Sequence, residues 1–113
     1  NILMLGCGNS KLSEQMYEAG YTNIFNIDIS PAVIEQMKRV TEERGYHKMK
    51  WEVMDATDMN SIADETFDVI IDKGTLDALI SGHNIDICVK MLKESMRVLK
   101  KNGQFILITY GSP

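Results

Sequence analysis

Three aspartates stand where apolar runs stop. Asp28 closes Asn-Ile-Phe-Asn-Ile, Asp55 follows Trp-Glu-Val-Met, and Asp72 follows Val-Ile-Ile. Aspartate is a poor strand residue and a good turn former. One such acid is explained by its turn. Three of them at successive strand ends gather carboxylates around one crevice, which is how a ligand site is built. A fourth apolar run, residues 2–5, ends instead in Gly6-Cys7-Gly8-Asn9-Ser10. Paired glycines let the backbone approach a ligand and lead the chain into a helix N-terminus, where backbone amides accept an anionic group. Asp28 lies 20 positions after Gly8 (28 − 8). At that spacing an acid in a dinucleotide-type fold meets ribose hydroxyls.

Glycine loop and distant acid together point to a cofactor containing adenosine. A dinucleotide site would need a third glycine three residues after Gly8, and that position is Lys11. Its pyrophosphate would also sit among carboxylates. The phosphate-binding pattern GxxxxGK[ST] does not occur. S-adenosylmethionine suits the residues better. It carries ribose and adenine without phosphates, its sulfonium and ammonium are favoured by an acidic crevice, and its carboxylate can take the loop amides.

The elements that must position these residues follow from periodicity. Strands are expected at residues 2–5, 23–28, 50–54, 67–72 and 104–110. Helices are expected at 11–19, capped by Asn9 or Ser10 with Leu12, Met16 and Ala19 inward, from Pro31 to Gly45, and at 84–100, stopped by Asn102-Gly103. Residues 55–66 read as polar loop, and 73–82 as a loop or short helix. Apolar strands buried on both faces and alternating with helices give an α/β fold: a doubly wound, mostly parallel sheet of strand order 3-2-1-4-5. The 113 residues, with 44% hydrophobic and 25% charged, make one domain, residues 1–113. Starting at Asn1 inside an apolar run, and ending just after another, the chain reads as a fragment of a longer protein.

The runs Ile-Leu-Met-Leu-Gly-Cys-Gly-Asn-Ser (2–10), Asn-Ile-Asp-Ile-Ser (26–30) and Thr-Phe-Asp-Val-Ile-Ile-Asp (66–72) resemble the ordered motifs of class I S-adenosylmethionine-dependent methyltransferases, a Rossmann-like fold. Trp-Glu-Val-Met-Asp-Ala-Thr-Asp-Met (51–59) and Asp-Lys-Gly-Thr-Leu-Asp-Ala-Leu (72–79) resemble the subgroup around methyltransferase-like protein 13, some members of which methylate lysines of translation elongation factor 1-alpha. The resemblance implies that Gly6, Cys7, Gly8 and Asn9 line the methionine end of the cofactor. It implies that Asp28 binds the ribose, Ile29 packs on the adenine, and Asp55 and Ala56 meet the adenine edge. Asp72, with Lys73 and Gly74, would border the transferred methyl and the substrate, which makes Asp72 a further cofactor-binding residue and makes Asp72 and Lys73 the catalytic candidates. The likeness covers a truncated core: the family's lead-in helix and final strands, which help form the substrate pocket, are outside it.

Methyl transfer by in-line displacement needs proximity and alignment rather than an acid–base pair. A lysine acceptor must first lose a proton, its ordinary pKa being about 10.4. Asp72 or Asp77 could orient that amine, although Asp77 is better read as a cap or solvated residue. The expected partner is a lysine-containing protein in the cytoplasm. The net charge of −4 argues against nucleic acid, and no apolar run reaches membrane-spanning length. Cys7 and Cys88 form no metal-ligand pattern and read as buried filler, so no metal is expected. His47 and His83 read as surface residues, Trp51 as packing, and Tyr110 as a strand-end aromatic. Lys93, Arg97, Lys100 and Lys101 read as a solvated helix face. The alternatives are a cofactor-binding or interaction module without catalysis, a small-molecule methyltransferase and, disfavoured by Lys11, a nicotinamide oxidoreductase.

Overall fold

The computed structural model describes residues 1–6, 11–82 and 84–108. Strand β1 (Ile2–Leu5) lies at the centre of a five-stranded parallel sheet. It pairs with β2 (Ile24–Asp28) on one side and with β4 (Phe67–Lys73) on the other. The edges are β3 (Lys50–Val53) and β5 (Leu99–Ile108), giving the expected order β3-β2-β1-β4-β5. Strand order reverses beside β1, so the crevice of the sheet opens at the carboxyl ends of β1 and β4.

Successive strand residues point to opposite faces, so the unbroken apolar runs of β1 and β4 feed two cores. On one face Met4, Ile24, Trp51 and Ile71 pack with Ile34 and Met37 of α2 (Pro31–Glu43) and with Leu12 and Met16 of α1 (Leu12–Glu18). On the other, Leu3, Leu5, Ile27 and Ile70 pack with Met91 and Val98 of α4 (Ile85–Val98) and with Leu76 and Leu79 of α3 (Thr75–Ser81). Met59 and Ile62, from the connection between β3 and β4, join that second core. Ser30 caps α2 by accepting the Val33 N–H at 3.3 Å, and Pro31 takes the first helical position. Asn84 caps α4 in the same way through the Ile87 N–H at 3.2 Å.

Several local expectations change. Helix α1 starts at Leu12 with Lys11 as its cap residue and no side-chain cap bond; Asn9 and Ser10 lie outside the described residues. Its inner face includes Ser13 and Glu14, while Ala19 is exposed. The Ser13 hydroxyl donates to the Asn26 side chain, whose amide donates to the Lys50 carbonyl at 3.0 Å, and Glu14 pairs with Arg44 at 3.0 Å. Polar contacts of this kind bury residues that apolar periodicity assigns to solvent. Helix α4 ends at Val98, not at residue 100. The N–H groups of Glu65 and Thr66 donate to the carbonyls of Arg97 and Val98 at 2.9 and 2.8 Å, so the chain satisfies these helix-end carbonyls from a neighbouring loop. Leu99 is then extended and pairs with Phe67, which starts β5 five residues earlier than expected, across a bulge. Gly103 serves this pairing rather than stopping a helix: a Cβ there would lie 2.8 Å from the Asp68 carbonyl oxygen.

Candidate functional site

A cleft of about 470 Å³ opens at the carboxyl ends of β1, β2 and β4. Gly6, Asp28, Ile29, Asp55 and Ala56 line it, together with Lys73, Gly74 and Thr75. Ile27, Met54, Ala78 and Leu79 give it an apolar floor. A hollow of about 530 Å³ lies at the amino ends of the strands, around Asn23, Phe25, Lys50 and Thr66. It contains none of the expected site residues and sits at the end of the sheet where open α/β folds do not bind their ligands.

Each acid at the cleft is oriented by its own turn. Asp28 ends β2, and its Oδ1 accepts the Ser30 N–H at 2.9 Å. The Asp28 carbonyl accepts the Met54 N–H at 3.0 Å, which ties β2 to the segment carrying Asp55. Asp55 Oδ1 accepts both the N–H and the hydroxyl of Thr57, at 2.8 and 2.7 Å. These are Asx turns, in which a side chain stands in for a backbone acceptor. Ile29 follows Asp28 and is 69% exposed. A large apolar side chain held at the mouth of a cleft is a surface for a flat apolar group to cover. Gly6 turns out of β1 with φ +57, in the left-handed region.

Asp72 is placed differently from the expectation that it borders the substrate. It is fully buried and lies beneath the cleft rather than at its surface. Its Oδ1 accepts the Thr75 N–H at 2.8 Å and its Oδ2 the Leu76 N–H at 3.0 Å, so the carboxylate caps α3 across Gly74, whose φ is +90. Burial pushes its carboxyl above the usual range. The hydrogen bonds from Thr75 and Leu76 oppose that rise, and nearby Asp77 adds to it. Lys73 and Gly74 do line the cleft. Cys7, Gly8 and Asn9, also expected at the site, lie outside the described residues, as do His83 and Tyr110.

Residue-by-residue reading missed Thr57, Thr75, Ala78 and Leu79 as lining groups. The signal for Thr57 was available in Asp55-x-Thr57, an Asx-turn pattern. Thr75, Ala78 and Leu79 share one face of α3 at i, i+3 and i+4, which becomes visible once 73–82 is known to be helical. Trp51 packs in the core as expected, donating its Nε1–H to Thr41 at 2.9 Å. Arg97 is not part of a solvated face: its guanidinium donates to the carbonyls of Met59 and Ile62 at 2.8 Å each. Among the described residues no group of three His, Cys, Asp or Glu side chains is placed to hold a metal ion, and no helix is long and apolar enough to cross a membrane.

A family profile described as "Methyltransferase domain" matches residues 1–112. The chain belongs to that family. Over 111 residues this methyltransferase domain is 44% identical to the eEF1A lysine and N-terminal methyltransferase of Mus musculus, covering 96% of the chain and 16% of the mouse protein. It is 35% identical over 126 residues to EEF1A lysine methyltransferase 4 of Mus musculus, covering 99% of the chain and 46% of that relative. The chain thus spans a minor part of both relatives. A solved S-adenosylmethionine-dependent methyltransferase of Clostridium acetobutylicum superposes with a TM-score of 0.78 at 23% identity, over 94% of this chain and 42% of that one, and so shares the fold.

The cofactor of this methyltransferase domain is S-adenosylmethionine, and the chemistry of the cleft fits it. Two carboxylates and one lysine leave the lining acidic, which favours a sulfonium and an ammonium and disfavours a pyrophosphate. The apolar floor suits an adenine. Gly6 brings backbone, not side chain, to the cleft wall.

Proposed function

We propose that the cleft at the carboxyl ends of β1, β2 and β4 is the cofactor site, and that the protein carrying this domain methylates a lysine amine of a protein, with translation elongation factor 1-alpha as the first candidate. The observation that carries the substrate reading is the 44% identity, over nearly the whole chain, to a relative named for that activity. In this reading Asp28 takes the ribose hydroxyls, Ile29 covers the adenine, and Asp55 and Ala56 meet its edge. Gly6, with Cys7, Gly8 and Asn9, holds the methionine end.

The bound cofactor supplies a methyl group activated on a sulfonium. The chain's own residues bind and align. Lys73 and Gly74, at the end of β4, border the acceptor. A cation beside the entering lysine disfavours a second cation there, so Lys73 favours the uncharged amine that attacks. Asp72 touches neither reactant: it fixes the β4–α3 corner from below. A translation-factor substrate also places the protein in the cytoplasm.

Two measurements test this. Calorimetric titration of the full-length protein with S-adenosylhomocysteine should show binding, weakened more by Asp28→Ala than by Asp77→Ala; the reverse order contradicts the site. Radiolabelled methyl transfer into a cell lysate should label a band at the mass of elongation factor 1-alpha, lost when its lysines are changed to arginine. Labelling of nucleic acid or small molecules alone would overturn the substrate reading.

A further inference from the structure

Gly6 and Thr75 both line the cleft and lie against each other. A Cβ built on Gly6 would fall 1.8 Å from Thr75 Oγ1 and 3.1 Å from Thr75 Cβ. The space that any other residue at position 6 would fill is therefore already occupied by the threonine hydroxyl. That hydroxyl belongs to the first residue of α3, directly after the left-handed Gly74. The Thr75 N–H is held by Asp72 Oδ1 at 2.8 Å. Asp72 in turn pairs in register with Leu5, the residue before Gly6. Three strands of contact thus close a small ring: β1 to β4 through the sheet, β4 to α3 through the buried carboxylate, and α3 back to β1 through the threonine hydroxyl.

We propose that Thr75 is a positioning residue for cofactor binding, a spacer that sets how closely the glycine turn after β1 approaches α3 and so fixes the width of the cleft at the Gly6 end. This rests on the reading of the cleft as the cofactor site. Threonine suits the task because its β-branched side chain is stiff about χ1, and because a hydroxyl is small enough to sit against a glycine α-carbon. Serine offers the same hydroxyl. Alanine leaves a gap beside Gly6. Valine puts a bulkier methyl against the glycine. The part of Thr75 is separate from that of Asp28 or Asp55: it aligns the wall and need not contact the adenosine.

The test is calorimetric titration of S-adenosylhomocysteine into the full-length protein and its variants, with melting curves on the same samples. Thr75→Ser should bind within about twofold of the unmodified protein, and Thr75→Ala about tenfold more weakly, because the gap it leaves beside Gly6 lets the cleft wall shift. The melting temperatures of Thr75→Ser and Thr75→Ala should stay close together, since a role confined to stability would move melting and not affinity. If Thr75→Ala does not fold, Thr75→Val takes its place with the same expected loss. Thr75→Ala binding as tightly as the unmodified protein, or Thr75→Ser binding as weakly as Thr75→Ala, overturns the spacer. Asp28→Ala separates the two readings. If it weakens binding while Thr75→Ala does not, the spacer alone fails; if neither matters, the cleft reading fails with it.

Discussion

At the scale of single residues, the acids that look alike in the sequence do different work. Asp28 and Asp55 line the cleft, each steadied by a turn of its own. Asp72 is buried, with its oxygens on backbone N–H groups of α3. Its raised pKa has a consequence for stability. A carboxyl whose folded pKa lies above its unfolded value binds more protons in the fold, so its contribution is present at low pH and is lost as pH rises from about 4 through the folded value. Asp72→Asn cannot titrate, and its single carbonyl oxygen cannot accept what two carboxylate oxygens did. The variant should be less stable by about 1–3 kcal/mol, and the gap to the unmodified protein should narrow as pH increases. Urea unfolding at several pH values between 4 and 7 checks this. A gap that widens with pH would mean that the two hydrogen bonds outweigh burial.

At the scale of elements, the connection between β3 and β4 is long and has little regular structure, yet it builds one wall of the cleft. What holds it is Arg97 on α4. The guanidinium bonds the carbonyls of Met59 and Ile62, pairs with Asp64 at 2.7 Å, and is oriented by Glu94, which also accepts the Met59 N–H at 2.6 Å. Arg97→Ala should destabilise the fold clearly more than Asp64→Ala, because it strips partners from the Met59 and Ile62 carbonyls and from Glu94. Arg97→Lys should recover little of that, since a point charge cannot fork to several acceptors. Asp64→Ala should cost under about 1 kcal/mol, as its carboxylate is mostly in water. Denaturant unfolding ranks the three, and hydrogen exchange across residues 57–64 shows whether the wall loosens. Equal costs for Arg97→Ala and Asp64→Ala would contradict the clamp.

At the scale of the whole molecule, apolar surface is concentrated at one end of the sheet. Ile85, Val89, Leu92 and Met96 form an exposed stripe along α4, and Ile106, Leu107 and Ile108 are over a third exposed on the edge strand β5. An apolar strand with an open edge is a template for pairing with another chain. The 113-residue chain should therefore self-associate with rising concentration. Ile106→Lys should reduce that association, as edge lysines do elsewhere. Sedimentation velocity over a concentration series decides it, and a monomer at every concentration would refute the expectation.

The strand order, the two helices with Pro31 and Asn84 at or beside their starts, and the acids at the strand ends were legible in the sequence. Each rests on local chemistry: period, capping and turn residues. The tertiary structure decided what depends on distant partners. Loop N–H groups of Glu65 and Thr66 end α4 two residues early, and nothing in residues 84–100 alone encodes them. Burial by polar contact put Ser13 and Glu14 inward, against their type. Asp72 went under the cleft because α3 needed a cap there, whereas the sequence offered only an acid at a strand end. The closeness of Gly6 to Thr75, residues 69 positions apart in the chain (75 − 6), exists only once β1 and β4 lie side by side. Local chemistry thus fixed which elements form and which ends carry charge. Which of those charges line the cleft, and which lie beneath it, was settled by packing between residues far apart in the chain.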